Sequence, residues 1–139
     1  MQTFLITGGA GFIGANFVRY VLAADPGNQR AIVMLVLALT DQFGRSGGIG
    51  FDEAKALLGK LGSEYERAYY AGIICERRAN VHFERGHPGC GELAYEWYKK
   101  AMAWFERAET LHPPGNEEAT LRWNTCARMM MKHPTIRAA

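Results

Sequence analysis

The stretch from Leu93 to Asn116, LAYEWYKKAMAWFERAETLHPPGN, constrains the fold more than any other part of the chain. At helical spacing Leu93, Trp97, Ala101, Trp104, Phe105, Ala108 and Leu111 share one face, with Lys99, Lys100, Glu106 and Arg107 opposite. Pro113, Pro114 and Gly115 then end the helix, because proline lacks the N–H of the helical ladder and its ring clashes with the preceding turn. Two tryptophans and a phenylalanine on one stripe each bury about 150–250 Å², so the helix requires partners. Neighbouring segments supply them. Ser63-x-x-Glu66 is a capping box that opens a helix on which Tyr65, Tyr69, Gly72, Cys75, Ala79 and Phe83 share a face. Gly86 ends that helix, and His87 to Gly91 reads as loop. Asn116 caps a last helix, with Glu117 and Glu118 near its positive dipole end. Its stripe of Ala119, Trp123, Ala127 and Met130 is placed to cover the open side of the pair.

Ala101-x3-Phe105-x2-Ala108 followed by Pro113, with Tyr98 three residues earlier, resembles the second helix of a tetratricopeptide repeat. Ala79 and Phe83 before Gly86 resemble the end of the repeat's first helix. The W-x2-L-G of that first helix is missing, and an insertion from His87 to Tyr95 lies between the two helices. Residues 63–131 therefore match one degenerate hairpin, with no second copy. The resemblance implies an antiparallel helical hairpin with a closing helix, and a groove that holds a protein or peptide partner.

Toward the N-terminus, Gln2 to Thr7 is a short apolar run leading into Gly8-Gly-Ala-Gly11-Phe12-Ile13-Gly14. Ala15 to Ala24 is compatible with a helix, Asp25-Pro26-Gly27-Asn28 breaks it, and Ala31 to Leu39 is a second apolar run. Strand, glycine turn, helix, turn and strand read as a βαβ unit. ITGGAGFIGANFVRYVLAADPGN, within residues 3–28, resembles the opening of the extended short-chain dehydrogenases/reductases, in particular nucleotide-sugar dehydratases such as dTDP-glucose 4,6-dehydratase. The resemblance implies an NAD site at Gly8, Gly11, Phe12, Ile13 and Gly14. Gly8 would permit the tight turn, Gly11 the approach of the pyrophosphate, and Gly14 close packing of helix on strand.

The pattern departs from that family after Thr40. Leu37 stands where an acidic residue should hold the ribose hydroxyls, and Asp41 comes four residues later. No further alternation of strands and helices follows to complete a sheet. The fingerprint therefore reads as one of origin rather than of use: no cofactor is expected, and NAD is the cofactor if the motif functions. Without a sheet to join, Ala31–Leu39 is open to folding as a helix against the module. Tyr95 and Lys99 repeat the family's Y-x3-K spacing, but inside the hairpin, where they read as a decoy pair one helical turn apart.

Phe43 to Phe51, FGRSGGIGF, reads as a linker. The expected organisation is a βαβ-like half-Rossmann fragment over 1–42, the linker over 43–51, a helical module over 52–133 opened by a short helix from Asp52 to about Leu61, and a frayed tail over 134–139. The class is mainly α. A net charge of +2 with no basic stripe gives no case for nucleic acid. The longest apolar run has nine residues against the ~20 of a membrane helix, and no basic segment ahead of an apolar run marks a secretory signal. Three widely spaced cysteines, Cys75, Cys90 and Cys126, indicate free thiols in the cytoplasm. His87-x2-Cys90, with His82 and Cys75 nearby, lacks the second close pair that a metal site needs. Met129 to Met131 fit gap-filling or an adaptable surface, and Glu117 and Glu118 fit helix-start charges. The functional expectation is a non-enzymatic module for a protein or peptide partner, homo-oligomerisation staying open; the alternative is an NAD-binding fragment of a nucleotide-sugar dehydratase or epimerase.

Overall fold

Helix signals prevail throughout the described chain. A computed structural model describes residues 11–44 and 50–139, with the backbone alone for residues 11–15. Among them lie α1 (Gly11–Ala24), α2 (Gln29–Thr40), α3 (Phe51–Leu58), α4 (Glu64–Arg85), α5 (Cys90–Leu111) and α6 (Glu118–Lys132). They fall into two compact units, the first ending at Gly62 and the second beginning at Ser63.

In the first unit α2 packs against α1 and α3. Residues 31–39, expected as the second strand of a βαβ unit, are helical, which corrects that part of the fold class. The Asn28 carboxamide accepts a hydrogen bond from the Ala31 N–H at 3.0 Å, the geometry of a helix N-cap. Ala31, Ile32, Leu35, Val36, Ala38 and Leu39 are buried, a spacing that follows the helical period rather than strand alternation. A short apolar run satisfies both templates; no strand lies among the described residues for it to pair with, and a lone strand is unstable. The expected first strand, Gln2–Thr7, lies outside the described residues.

The short third helix starts at Phe51, one residue before the expected cap. Gly50 turns the chain at φ 98, and Asp52 and Glu53 occupy the first turn. Phe51, Ala54 and Leu57 are buried, and Phe43 meets Phe51 edge-on at 5.7 Å. The two ends of the expected linker thus pack together, and α3 belongs to the first unit rather than to the helical module. Gln29 fastens the end of α3 to the start of α2: its Oε1 accepts from the Gly62 N–H at 2.8 Å and its Nε2 donates to the Lys60 carbonyl at 3.1 Å.

The second unit opens as the capping box requires, with Ser63 Oγ accepting from the Glu66 N–H at 3.2 Å. Gly86 ends α4 in the left-handed region at φ 68. α5 begins at Cys90, so most of the supposed insertion is helix and the connection is a tight turn through Gly89 at φ 90. The helices run antiparallel, because contacts pair late residues of one with early residues of the other. Tyr98 bonds Asn80, Phe105 lies on Gly72, and Arg107 faces Glu64 at 3.9 Å.

The seam of this hairpin is built from small residues. Ala94, Ala101 and Ala108 recur every seven residues on α5, and Ala68, Gly72, Cys75 and Ala79 are buried on α4. Tyr98 and Phe105, both fully buried, are the large groups between them. The expected tryptophan stripe is therefore rotated outward. Leu93 is 47% and Trp104 41% exposed. Trp97 is half-buried, with Arg78 at 5.1 Å and Lys100 at 4.3 Å from its ring centre. Close helix approach at Gly72 and the alanines leaves no depth for an indole. α6 packs on α5 through Ala119 and Cys126, while Trp123, Ala127 and Met130 stay half-buried. The expected frayed tail is folded down: Ile136 is 4% exposed, the His133 ring rests at a tilt on Phe83 with centroids 4.6 Å apart, and Thr135 lies on Gly91.

Candidate functional site

The first turns of α4 carry Tyr65, Glu66, Tyr69 and Tyr70 on one side of a groove of about 400 Å³. Leu111 at the end of α5, Pro113 and Asn116 in the following loop, and Glu118 at the start of α6 form the rest. Helix periodicity places Tyr65 and Tyr69 one above the other, nearly parallel at 16° with centroids 5.8 Å apart. Tyr70, the next residue, turns its ring at 87° to Tyr69 at 5.1 Å, so the pair forms a corner. Phe105 backs Tyr69 at 5.8 Å and ties the groove wall to the hairpin core.

Two carboxylates, Glu66 and Glu118, line the groove. Burial, above all, pushes the Tyr70 phenol up to about 12, and Tyr69, Glu66 and Glu118 add to the shift. The Tyr65 phenol is likewise raised, first by burial and then by Glu118, Tyr69 and Glu109, against a lowering contribution from Asn116. Both phenols stay neutral at physiological pH. The Tyr65 hydroxyl is buried without a hydrogen-bond partner of proper geometry. Asn116 stands close enough to act on the phenol through its side-chain N–H, while its Oδ1 accepts from the Glu118 N–H at 3.0 Å.

Behind the groove is a charged pair that sequence periodicity did not reveal. Glu76 on α4 is 5% exposed, and its Oε2 lies 3.5 Å from Arg122 Nη1 on α6. Its other carboxylate oxygen has no partner. Burial raises the Glu76 carboxyl above its ordinary range, overriding the lowering by Arg122 and Arg77. Arg122 also reaches the Tyr69 hydroxyl. Beside them the Cys126 thiol is pushed up to about 12 by burial and then by Glu76, so it is an inert packing residue.

Glu76 gives a signed pH dependence. Its folded-state pKa is raised, so the native state holds the proton more tightly than the unfolded chain, and that stabilisation is lost as pH rises through the folded value. Glu76→Gln keeps an acceptor for Arg122 and removes the charge. Its urea midpoint is expected to exceed the wild-type midpoint at pH 7, with the difference shrinking toward pH 4. A Gln variant less stable at pH 7 would mean that the charged pair with Arg122 outweighs burial.

A second, smaller hollow of about 220 Å³ lies between α5 and α6, lined by Phe105, Glu106, Glu109, Ala119, Thr120 and Trp123. Its carboxylates are engaged: Thr120 donates to Glu109 at 2.6 Å and the Trp123 indole N–H to Glu106 at 3.0 Å.

The other sequence candidates lie elsewhere. Gly8 is outside the described residues, and Gly11, Phe12, Ile13 and Gly14 form the first turn of α1, their side chains also outside the description. Leu37 is on α2. Tyr95 and Lys99 sit one turn apart on α5, half-buried and exposed respectively, in a different unit from the glycine motif. His82 is held toward neutrality by burial and by Arg78 and Arg85. Among the described residues no three His, Cys, Asp or Glu side chains gather to hold a metal ion, and no disulfide joins the three buried cysteines. No helix among them is long and apolar enough to cross a membrane. Sequence periodicity missed Tyr70, which lies one position off the Tyr65/Tyr69 face, and the Glu76–Arg122 pair. The signal for the latter was a charge at each of two positions adjoining an apolar stripe.

Compared with known protein families, curated proteins and solved structures, the chain matches none. The class the second unit defines is thus stated from geometry alone: an antiparallel helical hairpin with a closing helix, bearing an aromatic groove rimmed by carboxylates.

Proposed function

We propose that the chain is a non-enzymatic helical module that binds a protein or peptide partner, and that the tyrosine groove of its second unit receives it. The observation that carries this reading is the groove itself. Three tyrosine rings from one helix face Leu111 and Pro113 across about 400 Å³, and a buried hydroxyl there lacks a partner. Tyrosine offers a large apolar face with a polar tip and little rotamer freedom to lose, which suits recognition surfaces. The likeness of Tyr98, Ala101, Phe105 and Ala108 to a tetratricopeptide hairpin supports the same reading, since such hairpins present grooves to peptides. Three buried cysteines that form no disulfide fit a reducing compartment, and the cytoplasm is the location this reading favours. An NAD-binding dehydratase fragment is the weaker reading, because α2 occupies the place of the strand that such a site needs.

Selection of a displayed peptide library against the full chain tests the proposal. Enrichment of a consensus peptide with micromolar affinity is expected, lost in Tyr70→Ala while the helical circular dichroism signal is kept. Absence of any enriched peptide, or binding indifferent to both Tyr70→Ala and Tyr65→Ala, would overturn it.

A further inference from the structure

We infer that the groove takes a cationic side chain, lysine or arginine, of its partner peptide; this rests on the reading of the module as peptide-binding. The described lining comprises three tyrosines, Leu111, Pro113, Ser63, Asn116 and the carboxylates of Glu66 and Glu118, and includes no lysine or arginine. A third carboxylate, Glu109, lies within electrostatic reach of Tyr65. Two arginines of the same unit are engaged elsewhere: Arg122 lies between Glu76 and the Tyr69 hydroxyl, and Arg107 faces Glu64 at 3.9 Å.

Each kind of occupant fares differently in such a place. An acidic peptide meets like charge on the rim. A purely apolar side chain covers Glu66 and Glu118 without compensating them, which penalises binding. A lysine or arginine satisfies both features, because the faces of tyrosine rings attract a cation and the carboxylates neutralise it. The corner made by Tyr69 and Tyr70, at 87° and 5.1 Å, presents two such surfaces to one charge. Leu111 and Pro113 supply an apolar wall for the methylene stem of a long basic side chain. A free quaternary ammonium ion would use the rings but leave the stem wall of Leu111 and Pro113 unused, which favours the peptide side chain.

The test uses the full chain and N-acetyl-argininamide as probe, followed by the aromatic proton resonances of Tyr65, Tyr69 and Tyr70. Saturable shifts are expected for the arginine amide and not for its uncharged citrulline isostere, together with Arg or Lys in the consensus of selected peptides. Glu66→Gln and Glu118→Gln should each weaken binding by up to about 5-fold and flatten its salt dependence, the loss of one partly exposed charge pairing. Both variants keep a polar group at the helix start, so folding is preserved. Selected peptides lacking any basic residue would overturn this inference while leaving the peptide-binding reading intact. Saturation by tetramethylammonium without response to the arginine amide would overturn it in favour of a small free cation. Failure to enrich any peptide would instead remove the reading on which it rests.

Discussion

Phe105→Ala is expected to lower the stability of the chain by about 3–5 kcal/mol in urea unfolding, the range for removing a buried aromatic ring from a packed core. Its ring is fully buried and touches both the Gly72 backbone on α4 and the Tyr69 ring at 5.8 Å. A loss of that size is a large share of the ~5–15 kcal/mol that holds an ordinary domain together, so unfolding of the second unit should begin well below the wild-type midpoint. The opposite error at the same contact should also be costly. A methyl group at Gly72 would lie 2.5 Å from one Phe105 ring carbon and within 2.8 Å of two more. Gly72→Ala is therefore expected to lose about 1–3 kcal/mol through overpacking, despite alanine's better helix propensity.

The second large effect is expected at Gly91. A Cβ there would sit 2.0 Å from the Thr135 carbonyl oxygen, and a backbone atom cannot swing aside as a side-chain tip can. Gly91→Ala should displace the segment that buries Ile136 against the module, at a cost of about 1–3 kcal/mol, and speed tryptic cleavage after the already exposed Lys132 by loosening the chain around it. The sign should reverse in a chain ending at His133. With the obstructing carbonyl gone, alanine in the first turn of α5 is the better helix former by up to about 1 kcal/mol. Equal destabilisation in both chains would show that Gly91 is needed for some reason other than room for Thr135.

Local signals were the legible part of this fold. Ser63 with Glu66, Gly86 and the prolines after Leu111 mark helix ends through their own side chains or backbone freedom, and the helices begin and end where they indicate. The four residues that carry the likeness to a repeat helix, Tyr98, Ala101, Phe105 and Ala108, all lie on the buried face of α5. Residues 31–39 were ambiguous in kind: a nine-residue apolar run satisfies both strand and helix, and only tertiary context decides. The tryptophans misled for a different reason. Large apolar side chains were read as the centre of the stripe, yet a seam as narrow as Gly72 against Phe105 excludes them, and cations cover Trp97 instead.

The groove was least legible, because Tyr70, Pro113 and Glu118 come from separate segments that only the folded hairpin brings together. The Glu76–Arg122 pair was hidden by a general prior: charged residues are assigned to solvent unless a partner is seen, and the partner lies on another helix. Burial there leaves one carboxylate oxygen unsatisfied, which is why the same residue now carries a stability-versus-pH prediction.

The direct closure of α4 on α5 at Gly72 and Phe105 sets both the core and the position of the tyrosine wall. A double-mutant cycle on Gly72→Ala and Phe105→Leu tests it most directly, by urea unfolding of the full chain. Trimming the ring makes room for the added methyl, so the double variant should be more stable than the sum of the two single losses by about 0.5–3 kcal/mol, the range of coupling for residues in contact. Strict additivity of the two losses would contradict the account.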